Sequence, residues 1–261
     1  MPLTHPLAFH YHSTDSQNEL TAARHMAALR KAIRSLKHYY EGLSGENLQL
    51  ANTGNQDMLF PYCTSFKSLN GQSTQVFRYK EQLGTGTKLI FFGELLSDGL
   101  PICIKFVRRY SKDVHEYCAS IGFTPRLRGF ERLPGGWYMA IMDRLVGYES
   151  LADLPEKDHL PMSVFESIGN RLRTLHDRSM VHGDIRDSNI MIHRDNRTKF
   201  MIIDFDWAGM LGTVVYPPHV NYTEIRRPED ARNGLLIKAA HDQWMLSDIQ
   251  GDTGEDSGIS K

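Results

Sequence analysis

Val181-His182-Gly183-Asp184-Ile185-Arg186-Asp187-Ser188-Asn189-Ile190-Met191-Ile192, followed by Phe200-Met201-Ile202-Ile203-Asp204-Phe205-Asp206, is the stretch from which the fold is read. An Asp is followed by an Asn five positions on (189 − 184 = 5), and a second Asp comes fifteen positions after that (204 − 189 = 15). Residues 190–192 and 200–203 are apolar and β-prone, so they read as two buried strands. A loop that ends in a short strand, turns and returns as a second strand can present three side-chain oxygens to one spot. Asp and Asn also serve as plain turn formers, but turn chemistry does not require this joint spacing.

Phosphoryl transfer to a hydroxyl needs few protein parts. One carboxylate orients the acceptor and takes its proton, and hard oxygen ligands hold Mg²⁺ on the phosphates. The pattern resembles the catalytic loop and metal-binding loop of protein-kinase-like enzymes, H-x-D-x-x-x-x-N and D-F-G. The resemblance implies Asp184 as the base, Asn189 as a Mg²⁺ ligand and Asp204 as the principal Mg²⁺ ligand. It also implies that Arg186 is a cation that neutralises charge on the transferred phosphoryl group. Two residues depart from the pattern. Gly183 stands where many regulated protein kinases carry the Arg that reads a phosphorylated activation loop, so that switch is expected to be absent. Asp206 replaces the Gly of D-F-G, a residue that tolerates positive φ. Asp204 directly follows the apolar strand and is the better metal candidate; Asp206 is left open, either close to the metal or on the surface.

Composition bounds the rest. A chain of 261 residues can bury a sizeable core as one two-lobed domain or two small ones. Lys plus Arg (30) nearly balances Asp plus Glu (31), so no global field favours nucleic acid or an anionic membrane. No run approaches the roughly twenty apolar residues of a membrane span. Residues 1–6 lack the pattern of a secretory signal. Cys63, Cys103 and Cys118 are odd in number and widely spaced, which reads as free thiols in a reducing compartment. His10 and His12 could hold a metal, but a solvated terminus is the simpler reading. The expectation is a soluble cytoplasmic or nuclear protein.

Ser16-Gln17-Asn18-Glu19 has the form of a capping box, and Ala22, Met26, Leu29, Ile33, Leu36, Tyr40 and Leu43 recur at spacings of four and three. This predicts an amphipathic helix ending near Gly42, laid against the folded domain or offered to a partner. Residues 44–57 read as a linker. Strands are expected over 74–79, 88–96, 101–107 and 137–145, with a turn at Ser97-Asp98-Gly99 and helices over 113–121 and 162–177. Strands first and helices later is α+β order. With the resemblance, it implies a protein-kinase-like two-lobed fold. Residues 1–57 would be helix and linker, 58–145 a β-rich small lobe, 146–249 a mainly helical shortened large lobe, and 250–261 a disordered tail.

The same resemblance places a nucleotide. Ile102-Cys103-Ile104-Lys105 resembles the V-A-I-K strand, with Lys105 on the phosphates, Glu116 as its helix partner and Cys103 lining the adenine pocket. An exposed lysine at a strand end is the alternative for Lys105. Gly84-Thr85-Gly86 resembles the start of a glycine-rich loop, although Leu89 stands at the third Gly, and a plain hairpin is the alternative. Main-chain groups of Asp143 and Leu145 would meet the adenine edge as a hinge. Pro228-Glu229 resembles the end of an activation segment, and Asp242 would hold the backbone near His182. The strings Lys105-Phe106-Val107-Arg108-Arg109-Tyr110-Ser111, Gly135-Gly136-Trp137-Tyr138-Met139 and Ile203-Asp204-Phe205-Asp206-Trp207-Ala208-Gly209 are similar to those of the compact kinase-like proteins of mushroom-forming fungi. That likeness implies a kinase-type ATP fold and no known substrate, whereas the protein-kinase-like motifs imply an ATP- and Mg²⁺-dependent phosphotransferase acting on protein Ser/Thr hydroxyls. Its rivals are a small-molecule kinase of the aminoglycoside or choline type and an inactive pseudokinase that serves as a binding module. Expected partners are ATP and a protein or small-molecule hydroxyl acceptor, with no nucleic acid and no membrane. A partner for the N-terminal helix is left open.

Overall fold

Gly129 lies so close to Phe66 that a Cβ built on it would sit 2.2 Å from the Phe66 ring. That contact brings together the two edge strands of a six-stranded antiparallel sheet. The computed structural model describes residues 16–41, 60–84, 89–154, 160–218 and 220–251. The chain divides into two units, Met1–Pro61 and Tyr62–Lys261. In the first, the described residues are 60–61 and helix α1, Ser16–Glu41, with Glu19 in its first turn and a Lys37–Glu41 ion pair at 3.6 Å. The Ser16 and Asn18 side chains of the expected capping box, the linker at 44–57 and the tail from 252 onwards lie outside the described residues.

The second unit opens with β1 (Ser65–Lys67), β2 (Thr74–Gln82), β3 (Leu89–Leu95), β4 (Pro101–Val107), β5 (Leu127–Leu133) and β6 (Trp137–Asp143), in the spatial order β1-β2-β3-β4-β6-β5. Alternation drives these strands: on β2, Phe77 and Tyr79 point inwards while their neighbours face out. Phe66, Phe77, Tyr79, Phe91 and Phe106 follow one another across one face with ring centroids 5.1–6.1 Å apart. Burying each ring stabilises the sheet by roughly 1.5–3 kcal/mol. Helix α2 (Lys112–Ser120) sits between β4 and β5 in sequence and buries Val114, His115 and Cys118.

After β6 the chain becomes mainly helical and loop. Short β7 (Tyr148–Ser150) leads to helix α3 (Met162–His176), whose buried Val164, Phe165, Ile168, Leu172 and Leu175 form one stripe. Then come β8 (Met180–Val181), the hairpin β9 (Ile190–His193) and β10 (Asn196–Ile202), β11 (Gly209–Met210) and helix α4 (Ala239–Gln250). β7, β9 and β10 pair as a three-stranded sheet, and β8 pairs with β11. The α3 stripe packs in one cluster with Ile185, Ile190, Ile192, Ile202 and Phe205. That cluster fixes the loop 182–189 from beneath.

Candidate active site

The loop between β8 and β9 is held by its backbone. Asp242, 1% exposed on α4, accepts from the His182 N–H at 2.9 Å and the Gly183 N–H at 2.7 Å. A buried carboxylate with no such donors would carry a large desolvation cost, so its position and the loop's are coupled. Gly183 adopts φ +84°, and a Cβ there would lie 2.9 Å from Ile237 Cδ1 and 3.0 Å from the Trp207 carbonyl oxygen. No residue with a side chain fits without displacement, which is why the residue before Asp184 is glycine. His182 pairs through Nε2 with the Ile203 carbonyl at 3.1 Å and through Nδ1 with the Asp184 N–H at 3.3 Å. Both bonds are met by the tautomer protonated at Nε2.

Asp184 is 4% exposed. Asn189 Nδ2 donates to its main-chain oxygen at 2.9 Å and to Oδ2 at 3.1 Å. With its amide nitrogen committed there, Asn189 keeps Oδ1 as the atom a cation would take. The Ile203 N–H donates to the Asn189 carbonyl at 3.0 Å, tying the 184–189 loop to the turn that carries Asp204. Arg186 Nε lies 3.2 Å from Asp184 Oδ2. A second arginine, unexpected from the sequence, takes the other oxygen: Arg227 Nη2 donates to Asp184 Oδ1 at 2.7 Å. Its side chain is 2% exposed and its guanidinium carbon lies 4.8 Å from the Trp207 ring centroid. The neighbours of Arg227 anchor on α4 and the residue that precedes it, Arg226 to Asp248 at 2.8 Å and Asp230 to Lys238 and His241.

Asp204 has φ +76°, an αL conformation in a residue type that tolerates it better than most. Lys105 Nζ bridges Asp204 Oδ1 at 2.5 Å and Asp206 Oδ1 at 2.6 Å. Burial alone would pull the lysine down, but Asp204 and Asp206 more than offset it, so its pKa lies above the ordinary value. Burial, helped by the Asp204 charge and opposed by Lys105, pushes the Asp206 carboxyl up to about 7. Asp206 is therefore part of the site, the alternative that the sequence left open.

The expected Lys105–Glu116 pair does not form. Glu116 is 38% exposed and lies 3.7 Å from Lys112, one helical turn back. It borders a surface cavity of about 320 Å³ with Ser120 and Arg126. The helix period explains the difference: the inward face of α2 carries Val114, His115 and Cys118, and Glu116 falls off that face. Asp206 supplies the second carboxylate for Lys105 instead. Where the helix meets the Asp204–Asp206 turn, His115 stacks on Phe205 at 4.7 Å and 10°. Tyr110 OH bonds His115 Nδ1 at 2.5 Å, and Nε2 bonds the Pro125 carbonyl at 2.8 Å.

Along β4, Lys105 stands opposite Ala140, Cys103 opposite Met142 and Ile102 opposite Asp143 in the β4–β6 register. Burial pushes the Cys103 thiol up to about 11, so the thiol is uncharged at neutral pH. The Asp143 carboxylate is taken by Arg128 at 2.5 Å and its N–H by the Arg126 carbonyl at 3.0 Å, so only its carbonyl oxygen and the Leu145 main chain remain for a hinge role. Gly84 has φ +74° and open space around it; Thr85 and Gly86 lie outside the described residues. Among the described residues no group of three His, Cys, Asp or Glu side chains is arranged around a metal position. Two carboxylates and an amide oxygen nonetheless suit Mg²⁺, which keeps several waters and takes phosphate oxygens for the rest of its shell.

Comparison with known proteins bears on the same segment. The model of the lipopolysaccharide kinase (Kdo/WaaP) family matches residues 130–211, which include Asp184, Asn189, Asp204 and Asp206. The 3-deoxy-D-manno-octulosonic acid kinase of Mannheimia succiniciproducens is 34% identical over 82 residues, 30% of this chain and 34% of that protein. The chain thus spans about a third of the length of the curated relative it matches. The structure of the Cydia pomonella granulovirus kinase PK-1 superposes with a TM-score of 0.57 over 67% of each chain at 16% identity, a likeness of fold. A mixed α/β architecture with kinase-like neighbours is the common ground of these matches.

Proposed function

We propose that the chain is a kinase-like phosphotransferase that uses Mg²⁺-ATP and passes the γ-phosphoryl group to a hydroxyl, within a two-lobed kinase-like fold. The observation that carries this is the joining of the two loops, Asn189 bonded to Asp184 on one side and to Ile203, next to Asp204, on the other. Asp184 orients the acceptor hydroxyl and takes its proton late in the transfer. Lys105, oriented by Asp204 and Asp206, holds phosphate oxygens. Asp204 and Asn189 Oδ1, with Asp206 beside them, would hold Mg²⁺, which neutralises phosphate charge when bound. Arg186, 25% exposed beside Asp184, would offset charge on the transferring group. Gly84 with residues 85–86 would cover the phosphates, and Cys103, Asp143 and Leu145 would frame the base.

The acceptor we favour is the hydroxyl of a small molecule, because the matched segment carries all four acid and amide groups and the curated relative is named for a sugar-acid acceptor. A protein Ser/Thr hydroxyl, implied by the resemblance of the Asp184–Asn189 and Asp204 motifs to those of protein kinases, is the second reading. Incubation of the protein with Mg²⁺-ATP and two acceptor sets, sugars with sugar acids and mixed proteins, separates them. Transfer to the small-molecule set is expected. Transfer confined to proteins would replace the first reading with the second, and nucleotide binding without any transfer would replace both with a binding module.

A further inference from the structure

The near-neutral charge of the whole chain hides a local excess. Helix α1 carries Arg24, Arg30, Lys31, Arg34 and Lys37 against Glu19 and Glu41, a net charge of +3 (5 − 2), whereas the whole chain has −1. The remaining residues therefore sum to −4 (−1 − 3). Along the same helix Ala22, Met26, Leu29, Ile33 and Leu36 fall on a stripe roughly 80° wide at 100° per residue. Ala22 is covered, but Met26, Leu29, Ile33 and Leu36 are 52%, 53%, 57% and 55% exposed. Four large aliphatic side chains in a row, half open to water, mark a surface that binds something.

Three occupants compete, and charge decides between them. The alternating spacing of four and three would suit a coiled coil with a second copy. The positions flanking that seam hold Arg30 and Lys37 on one side and His25 and Ala32 on the other, so no carboxylate answers the cations of a partner helix. Glu19 would enter the seam itself. A protein groove takes a few anchors over about two turns. Here the exposed stripe continues evenly from Met26 to Leu36, with basic groups along its whole length. A flat, continuous, negatively charged apolar–polar boundary matches both features.

We propose that α1 lies in the interface of an anionic lipid bilayer. The Met26–Leu36 stripe enters the boundary between headgroups and acyl chains, and Arg30 and Lys37, at its edge, reach the lipid phosphates. Arg24, Lys31 and Arg34 on the far face add attraction at longer range. The helix binds the surface without spanning it, since no helix among the described residues is long and apolar enough to cross a membrane. This replaces the expectation drawn from whole-chain charge, and it is independent of the phosphotransferase reading.

The test is co-sedimentation of the full chain with phosphatidylcholine vesicles with and without phosphatidylserine, read together with the oligomeric state by sedimentation velocity. Binding is expected to the phosphatidylserine vesicles and to fall at high salt. The double variant Arg30→Gln/Lys37→Gln leaves the apolar stripe and the fold intact and should weaken that binding about thirtyfold. Ile33→Asp/Leu36→Asp, at exposed sites, should abolish it with the circular dichroism unchanged. Equal binding to both vesicle types, or to neither, overturns the proposal. So does a dimer that the Ile33/Leu36 variant dissolves, which would assign the stripe to a second copy.

Discussion

Acid should destabilise this protein through one buried histidine. His115 is fully buried, accepts from Tyr110 OH at Nδ1, donates to the Pro125 carbonyl from Nε2 and stacks on Phe205. Burial lowers its pKa to about 4, partly opposed by the Pro125 bond and reinforced by the Lys105 charge. Above the ordinary histidine pKa of about 6.5, folded and unfolded chains both carry a neutral ring and the group has no effect on stability. As pH falls below that value the unfolded chain takes up a proton that the folded chain refuses. Stability is then lost progressively until the folded-state value near 4 is reached. The gap of about 2.5 units corresponds to roughly 3 kcal/mol. Gln can make both hydrogen bonds and does not titrate, so His115→Gln isolates the effect. Urea unfolding followed by tryptophan fluorescence near pH 7 and near pH 4 should show wild type losing roughly 3 kcal/mol more than the variant. Parallel losses in the two proteins would mean that His115 is not the group that titrates.

Gly183→Ala should lower stability by roughly 2–3 kcal/mol, seen as a reduced thermal midpoint, because it combines an αL penalty with a clash against Ile237 and Trp207. Arg227→Gln removes a buried cation from Asp184 and should cost up to about 3–5 kcal/mol in denaturant unfolding. Arg226→Gln, whose side chain is exposed where it meets the partly covered Asp248, should cost less than about 1 kcal/mol. Glu116→Gln should leave Mg²⁺-ATP affinity unchanged by calorimetry, whereas Asp206→Asn should weaken it; the reverse order would restore the helix carboxylate as the partner of Lys105.

Much of this arrangement is legible in the residues. β4 and α3 fall where their patterns put them, because a period of 2 in Pro101–Val107 and of 3.6 in Met162–His176 is set by burial on one face. The Asp242 anchor also follows from order along the chain. The features that escape depend on tertiary contact. β5 is hidden because Gly129 and three charged residues interrupt its apolar pattern, and the reason for that glycine is a phenylalanine 63 positions earlier (129 − 66 = 63). The pairing expected of Glu116 fails because a spacing of eleven residues from Lys105 does not state which face of α2 turns inwards. Arg227 lies 43 positions from Asp184 in a segment without regular structure, where no periodicity announces a contact. Asp206 is visible as a departure from D-F-G, but its partner becomes clear only once β4 and the turn meet.

The most direct test of the site is γ-phosphoryl transfer from Mg²⁺-ATP by wild type and Asp184→Asn, with nucleotide affinity measured on the same samples. Asparagine keeps the size of the side chain beside Asn189, Arg186 and Arg227 but cannot take a proton. Transfer is expected to fall by about 10²–10⁴-fold while ATP affinity stays within a few-fold of wild type. Equal transfer above background in the two proteins would remove Asp184 from the chemistry, and ATP binding by both with transfer no faster than background would remove the phosphotransferase assignment.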